Sequence, residues 1–226
     1  MLRLRLFIIA LTATLAAAAQ RYYQPDFAIG AKAGATVSEM AWSPTVRQQF
    51  TPGFTAGICM RYTEENHFGL VAELNFTQRG WAEKLNSDTG LSYSRHFSYI
   101  QLPIMTQIFF GNEKWRYFIN LGPEVGLMVG DKISSNFNYK DISQVPTFPA
   151  NHRYDQLNMN VARKFDYGIA GGMGVEMRLQ KKHSVMIEGR FYYGLANVFP
   201  SSRRDIFGAS RGMSIECTLA YMFRII

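Results

Sequence analysis

The sequence predicts an all-β protein: an eight-stranded antiparallel up-and-down transmembrane β-barrel with short periplasmic turns and long extracellular loops. Three observations lead there. An alternation of apolar and polar residues restarts eight times with no helical segment between. Successive strand side chains point to opposite faces, so each stretch is a ribbon with one apolar side. The connections are alternately short and long, and aromatic residues collect where the ribbons meet them.

The first strand is expected over Phe27 to Val37, with Phe27, Ile29, Ala31, Ala33 and Val37 on its apolar side. The second, Phe54 to Tyr62, places Phe54, Ala56, Ile58, Met60 and Tyr62 there. The third runs from Phe68 to Arg79 and the fourth from Phe97 to Phe110, carrying Ile100, Leu102, Ile104 and Ile108. The fifth spans Tyr117 to Met128, the sixth Phe165 to Leu179, the seventh Ser184 to Leu195 and the eighth Gly212 to Phe223. The connections Thr63 to His67, Gly111 to Lys114 and Gln180 to His183 are short, whereas the longest runs from Val129 to Lys164. Short turns at one end and long loops at the other mark outer-membrane barrels. Pro103 cannot donate to a ladder, and a closed barrel has no edge to shelter it, so a bulge or bend is expected there.

Residues 1–19 read as a signal peptide and 20–226 as the barrel domain. Arg3 and Arg5 precede an apolar run, Leu6 to Ala19, that closes on small residues. Beyond it no stretch approaches the roughly 20 apolar residues of a spanning helix. Membrane residence would then require a closed barrel, the other structure that satisfies its backbone in lipid. The formal charge is +7, to which Arg3 and Arg5 contribute. It shows no concentrated basic run, which speaks against nucleic acid as a partner. Cys59 falls on the polar parity and Cys217 on the apolar one, so a disulfide between them is not expected.

Phe27, Tyr62, Phe68, Phe110, Tyr117, Tyr221 and Phe223 stand at the short-turn ends of strands, and Phe54, Phe76, Tyr167, Phe191 and Tyr193 toward the long loops. Two aromatic girdles around an aliphatic band match bilayer interfaces. The rival is a soluble lipocalin-like barrel, in which the apolar parity would line a ligand cavity. Glycine on the polar parity (Gly30, Gly34, Gly57, Gly168, Gly172, Gly174) suits a crowded interior and favours the membrane reading.

An inward polar parity would bring Lys32, Glu73, Glu124, Arg190 and Glu216 together near mid-strand, with Arg61, Glu176, Arg178 and Glu188 closer to the periplasm. Strand eight neighbours strands one and seven, so Glu216 is expected to bridge Lys32 and Arg190. Buried charges must be paired, which makes this a structural network. An eight-stranded barrel has an interior just wide enough for side chains, so no open pore is expected. Catalytic, metal and cofactor sites are not expected: HExxH and CxxC are absent. His96 and His152 sit on the long-loop side with Asp155 and Asp166, the one pairing a hydrolase could use. Arg47, Lys84, Arg95, Lys132, Lys140, Arg153, Arg163, Lys164, Arg203, Arg204 and Arg211 make the long loops basic. They suit solvent or lipopolysaccharide phosphates. Trp42, Phe137, Tyr139, Phe148, Tyr154, Leu157 and Met159 either fold the third loop or meet a partner.

Glu73-Leu74-Asn75-Phe76-Thr77-Gln78-Arg79-Gly80 followed by Tyr99-Ile100-Gln101-Leu102-Pro103-Ile104 resembles the PorT-like outer-membrane β-barrel family of Bacteroidota. Gly30-Ala31-Lys32-Ala33-Gly34 and Glu188-Gly189-Arg190-Phe191-Tyr192-Tyr193-Gly194-Leu195 carry the same resemblance. It implies a bacterial outer-membrane location and, for a few members, a part in type IX protein secretion. Gln101 stands where many members carry Glu, and Arg224-Ile225-Ile226 extends beyond the terminal aromatic Phe223.

The expectation is a non-enzymatic, monomeric barrel with a filled lumen, surrounded by outer-membrane lipid and lipopolysaccharide. It would act through its extracellular loops or within an envelope or type IX secretion assembly. The alternatives are a secreted lipocalin-like carrier of an apolar ligand and an outer-membrane hydrolase acting on lipid or peptide.

Overall fold

The computed structural model describes residues 25–64, 67–85, 89–149 and 152–225; the expected signal peptide lies outside them. The strands are β1 (Asp26–Ser43), β2 (Gln48–Gln49), β3 (Thr51–Thr63), β4 (Phe68–Glu83), β5 (Tyr93–Gly111), β6 (Trp115–Ser135), β7 (Phe165–Arg178), β8 (His183–Gly194) and β9 (Ala209–Arg224). Eight of them form a closed antiparallel ring in the order β4, β3, β1, β9, β8, β7, β6, β5, with β5 returning to β4. The two-residue β2 adds a short ribbon onto the upper end of β4. In this ring β4 stands diametrically opposite β8, and β3 opposite β7.

The apolar parity faces outward. Ile58, Leu74, Ile104, Leu121, Ile187 and Leu219 are exposed, as are Tyr62, Phe68, Phe110, Tyr117 and Tyr221 at the short-turn end. The polar parity, including Lys32, Glu73, Glu124, Arg190 and Glu216, is buried inside. This is the reverse of a lipocalin, whose apolar face must turn inward to hold its ligand. Inward glycine makes room for the side chain of its partner on the adjacent strand: a Cβ at Gly57 would lie 2.2 Å from Asn75 Oδ1, and one at Gly174 2.3 Å from Phe118 Cζ.

The strands extend further toward the long loops than their alternation suggests. β5 has 19 residues and β6 has 21, about twice the 9–11 a tilted strand needs to cross a bilayer. The reason is an inversion of pattern. Above the aliphatic band the inward positions become aromatic or apolar (Met40, Trp42, Trp81, Tyr93, Phe97), while the outward ones turn polar (Glu39, Ser94, His96). Water outside and a packed core inside reverse the rule that lipid imposes lower down.

Pro103 does not produce the expected bulge. The β4–β5 ladder breaks between Ala72–Ile104 and Asn75–Gln101 but resumes in the same register. The register shift lies higher, between Ser98 and Tyr99, where β6 passes from Met128 to Gly130 and leaves Val129 unpaired. A bulge inverts the facing of every residue beyond it on the same strand. Ile133 thereby packs against the upper core while Lys132 is exposed.

Candidate functional site

The chain offers two places where chemistry gathers: the charged lumen and the crown that closes its extracellular end. In the centre of the lumen Glu73 of β4 accepts from Lys32 Nζ of β1 at 2.7 Å and from Arg190 of β8, Nη1 at 2.7 Å and Nη2 at 2.8 Å. Arg190 also donates to Glu188 at 2.8 Å, and Asn120 Nδ2 joins Glu188 from β6, also at 2.8 Å. Nearer the crown, Arg79 Nη2 donates to Glu124 at 2.7 Å and to Glu216 at 3.2 Å. The Tyr192 ring lies 3.8 Å from the Arg79 guanidinium, and its hydroxyl donates to Asp166. Toward the short turns Arg61 of β3 grips Glu176 of β7 at 2.7 and 3.0 Å.

Two of these pairs join diametrically opposed strands, Glu73 with Arg190 and Arg61 with Glu176. Long charged side chains therefore cross the lumen instead of lining it. That geometry corrects the expected role of Glu216. Arg190 and Glu216 face each other in the β8–β9 register, yet Arg190 turns to Glu73 and Glu188 while Glu216 bonds Arg79. Lys32 pairs with Glu73, so Glu216 bridges neither. The side chains reach for partners across the interior, where neighbour-strand reasoning does not look. Arg79, which reads from the sequence only as a strand end, and Arg116 share the inward parity with Glu73 and Asn120, and that parity is their signal.

The crown is an apolar core roofed by the third long loop. Trp42 stacks on Phe199 at 5.4 Å between ring centroids and meets Trp81 edge-on at 5.4 Å. Leu157, in a 3-10 turn over Asp155–Asn158, is fully buried there. Phe137, Tyr139, Phe148 and Met159 pack against the same core, whereas Tyr154 remains exposed. Polar latches hold the loop down. Tyr93 donates to the Leu157 carbonyl at 2.7 Å, and Arg95 to the Met159 carbonyl at 2.7 Å. Glu83 accepts from Trp81 Nε1 at 3.1 Å and Gln156 Nε2 at 3.0 Å, and its other oxygen lies 3.0 Å from His152 Nε2.

Two expectations about the loops change here. Arg95 is not a solvated loop residue: it lies in β5, is buried, and pairs with Asp131 through Nε at 2.8 Å. His152 meets Glu83, Asp166 takes Tyr192, and His96 sits on the outward parity of β5, so no histidine–aspartate pair assembles among the described residues. Nor does any group of three or more His, Cys, Asp or Glu form a metal site among them.

A closed eight-stranded ring with an aliphatic waist, aromatic girdles and a polar interior defines an integral protein of the bacterial outer membrane. The family comparison agrees: residues 18–200 match the model of the outer membrane protein beta-barrel domain, and the chain belongs to that family. No curated protein matches it in sequence. Among solved structures, the outer membrane protein OprG from Pseudomonas aeruginosa is similar in fold, with a TM-score of 0.51 at 12% identity over 91% of this chain and 98% of that one. Ail, the attachment invasion locus protein of Yersinia pestis, solved with the heparin analogue sucrose octasulfate, gives 0.43 at 15% identity over 88% of this chain and 99% of that one.

Proposed function

We propose that this is a non-enzymatic, monomeric barrel with a blocked lumen that works as a rigid extracellular platform. Its rim would bind lipopolysaccharide phosphates and its crown a protein of an envelope or secretion assembly. The observation that carries this reading is the join between lumen and crown: cross-lumen ion pairs lie below a loop latched onto an aromatic core. Such an arrangement closes the middle of the lumen and leaves the extracellular surface available for binding. Arg47, Lys84, Lys132, Arg163, Arg203 and Arg204 are exposed around it, suited to charge-assisted bonds with phosphate. Phe50, Tyr154 and Ile206 supply exposed apolar contact area among them. The resemblance to PorT-like barrels supports type IX secretion as the assembly concerned.

A photo-crosslinking residue at Tyr154 in cells of the native host tests this. Capture of lipopolysaccharide or of one defined envelope protein supports the reading. Absence of any adduct, together with stable large conductance of the purified barrel in planar bilayers, overturns it.

A further inference from the structure

The geometry points to an oxyanion site of the phosphate class at the periplasmic mouth, centred on Arg116. This residue enters from the start of β6 and is 3% exposed. Its guanidinium rests on the Phe109 ring, 4.0 Å from the centroid. Nε and Nη1 have no hydrogen-bond partner among the described residues. The nearest carboxylate oxygen, Glu176 Oε2, stands 3.6 Å from Nη1, beyond a hydrogen bond.

Glu176 is already committed. It takes both terminal nitrogens of Arg61 and the Ser184 hydroxyl at 2.6 Å. Two buried guanidinium groups thus share Glu176, and Asp26, the other acid acting on both, is paired with Arg224, which leaves unsatisfied donors on Arg116. A buried cation in that condition calls for an anion. The adjoining cavity admits one: Arg116, Arg178 and His67 form its wall, with Asn112 and Glu113 on its turn. Glu113 is the one acid lining it among the described residues. The planar guanidinium suits an oxyanion carrying a single charge. Phe110 lines the same cavity while facing outward at 55% exposure. The opening therefore meets both the periplasm and the headgroup level of the inner leaflet, so the phosphate can come from a lipid headgroup or from free solution.

The test uses the barrel in a sugar-headgroup detergent that lacks phosphate, reading the ¹⁵N–¹H resonance of Arg116 Nε. Inorganic phosphate and short-chain phosphatidylglycerol are titrated separately, against chloride at matched ionic strength. A saturable shift at Arg116, with Arg95 Nε unmoved, is expected. Saturation by phosphate alone identifies the free ion, and saturation by the lipid alone identifies the headgroup. Arg116→Gln should weaken binding at least tenfold, read at Arg178 Nε. If that variant does not fold, Arg116→Lys keeps the charge and should retain a weaker site. Shifts that follow ionic strength equally with chloride would overturn the assignment.

Discussion

Arg190 of β8 holds Glu73 of β4 across the full width of the barrel, through two hydrogen bonds of 2.7 and 2.8 Å. Glu73 is the hub of the central network, since Lys32 also depends on it. Glu73→Gln strands the buried Lys32 and leaves Arg190 with Glu188 alone, and is expected to cost about 3–5 kcal/mol. Replacing the whole group together (Lys32→Met, Glu73→Leu, Arg190→Met and Glu188→Gln, since Glu188 is the other carboxylate that Arg190 holds) should cost less than the single change, because no unpaired charge remains. Urea unfolding of the refolded barrel in vesicles, followed by heat-dependent gel migration, measures both.

The cross-lumen pairs also predict conductance. The native barrel should show no stable large channel in planar bilayers, and alanine at Arg61, Glu176, Glu73 and Arg190 should open one only when combined with alanine at Trp42, Trp81, Phe97 and Phe199, which close the crown above them. A native protein that conducts as strongly as the variant would contradict a blocked lumen.

The outward face is solvated by lipid, and charge placed on it should be penalised according to depth. Leu219, 57% exposed near the middle of β9, is the site to choose. Leu219→Arg is expected to destabilise the barrel by about 2–4 kcal/mol. Equal stability of native and variant protein in bilayers would refute membrane placement of this face.

Glycine inside and outside the wall should respond differently to enlargement. A Cβ at Gly189 meets open space, whereas one at Gly57 would lie 2.2 Å from Asn75 Oδ1 and 2.3 Å from the Leu74 carbonyl. Gly189→Leu should refold like the native chain. Gly57→Leu should lose about 1–3 kcal/mol or more through overpacking.

The third loop can be released without disturbing the barrel. Glu83→Ala removes the acceptor shared by Trp81 and Gln156 and the contact with His152, all within the crown. Limited proteolysis between residues 136 and 164 should accelerate several-fold, while heat-modifiable migration is retained. Unchanged cleavage would show that the apolar contacts of Leu157 and the bonds from Tyr93 and Arg95 suffice to hold the loop.

The strands are readable because lipid imposes one rule on every residue of the waist. Ile58, Leu74 and Leu219 are apolar since nothing else can face hydrocarbon, and Lys32, Glu73 and Arg190 share the opposite parity. The upper thirds of β5 and β6 are hidden because that rule inverts above the bilayer, placing Tyr93 and Phe97 inside. Arg95 reads as a loop residue for the same reason. A proline such as Pro103 is visible in a sequence, whereas the register shift at Val129 leaves no mark there.

Alternation, loop lengths and aromatic positions by themselves determined the fold class, the strand number and the membrane. They also placed the five central charges in one interior. Pairing was decided only by tertiary structure, because Arg and Glu side chains are long enough to bypass a facing neighbour and meet strands on the far wall. Local periodicity describes which face a residue occupies. Only closure of the ring puts β4 opposite β8, joins Glu73 to Arg190, and leaves Arg116 without a carboxylate of its own.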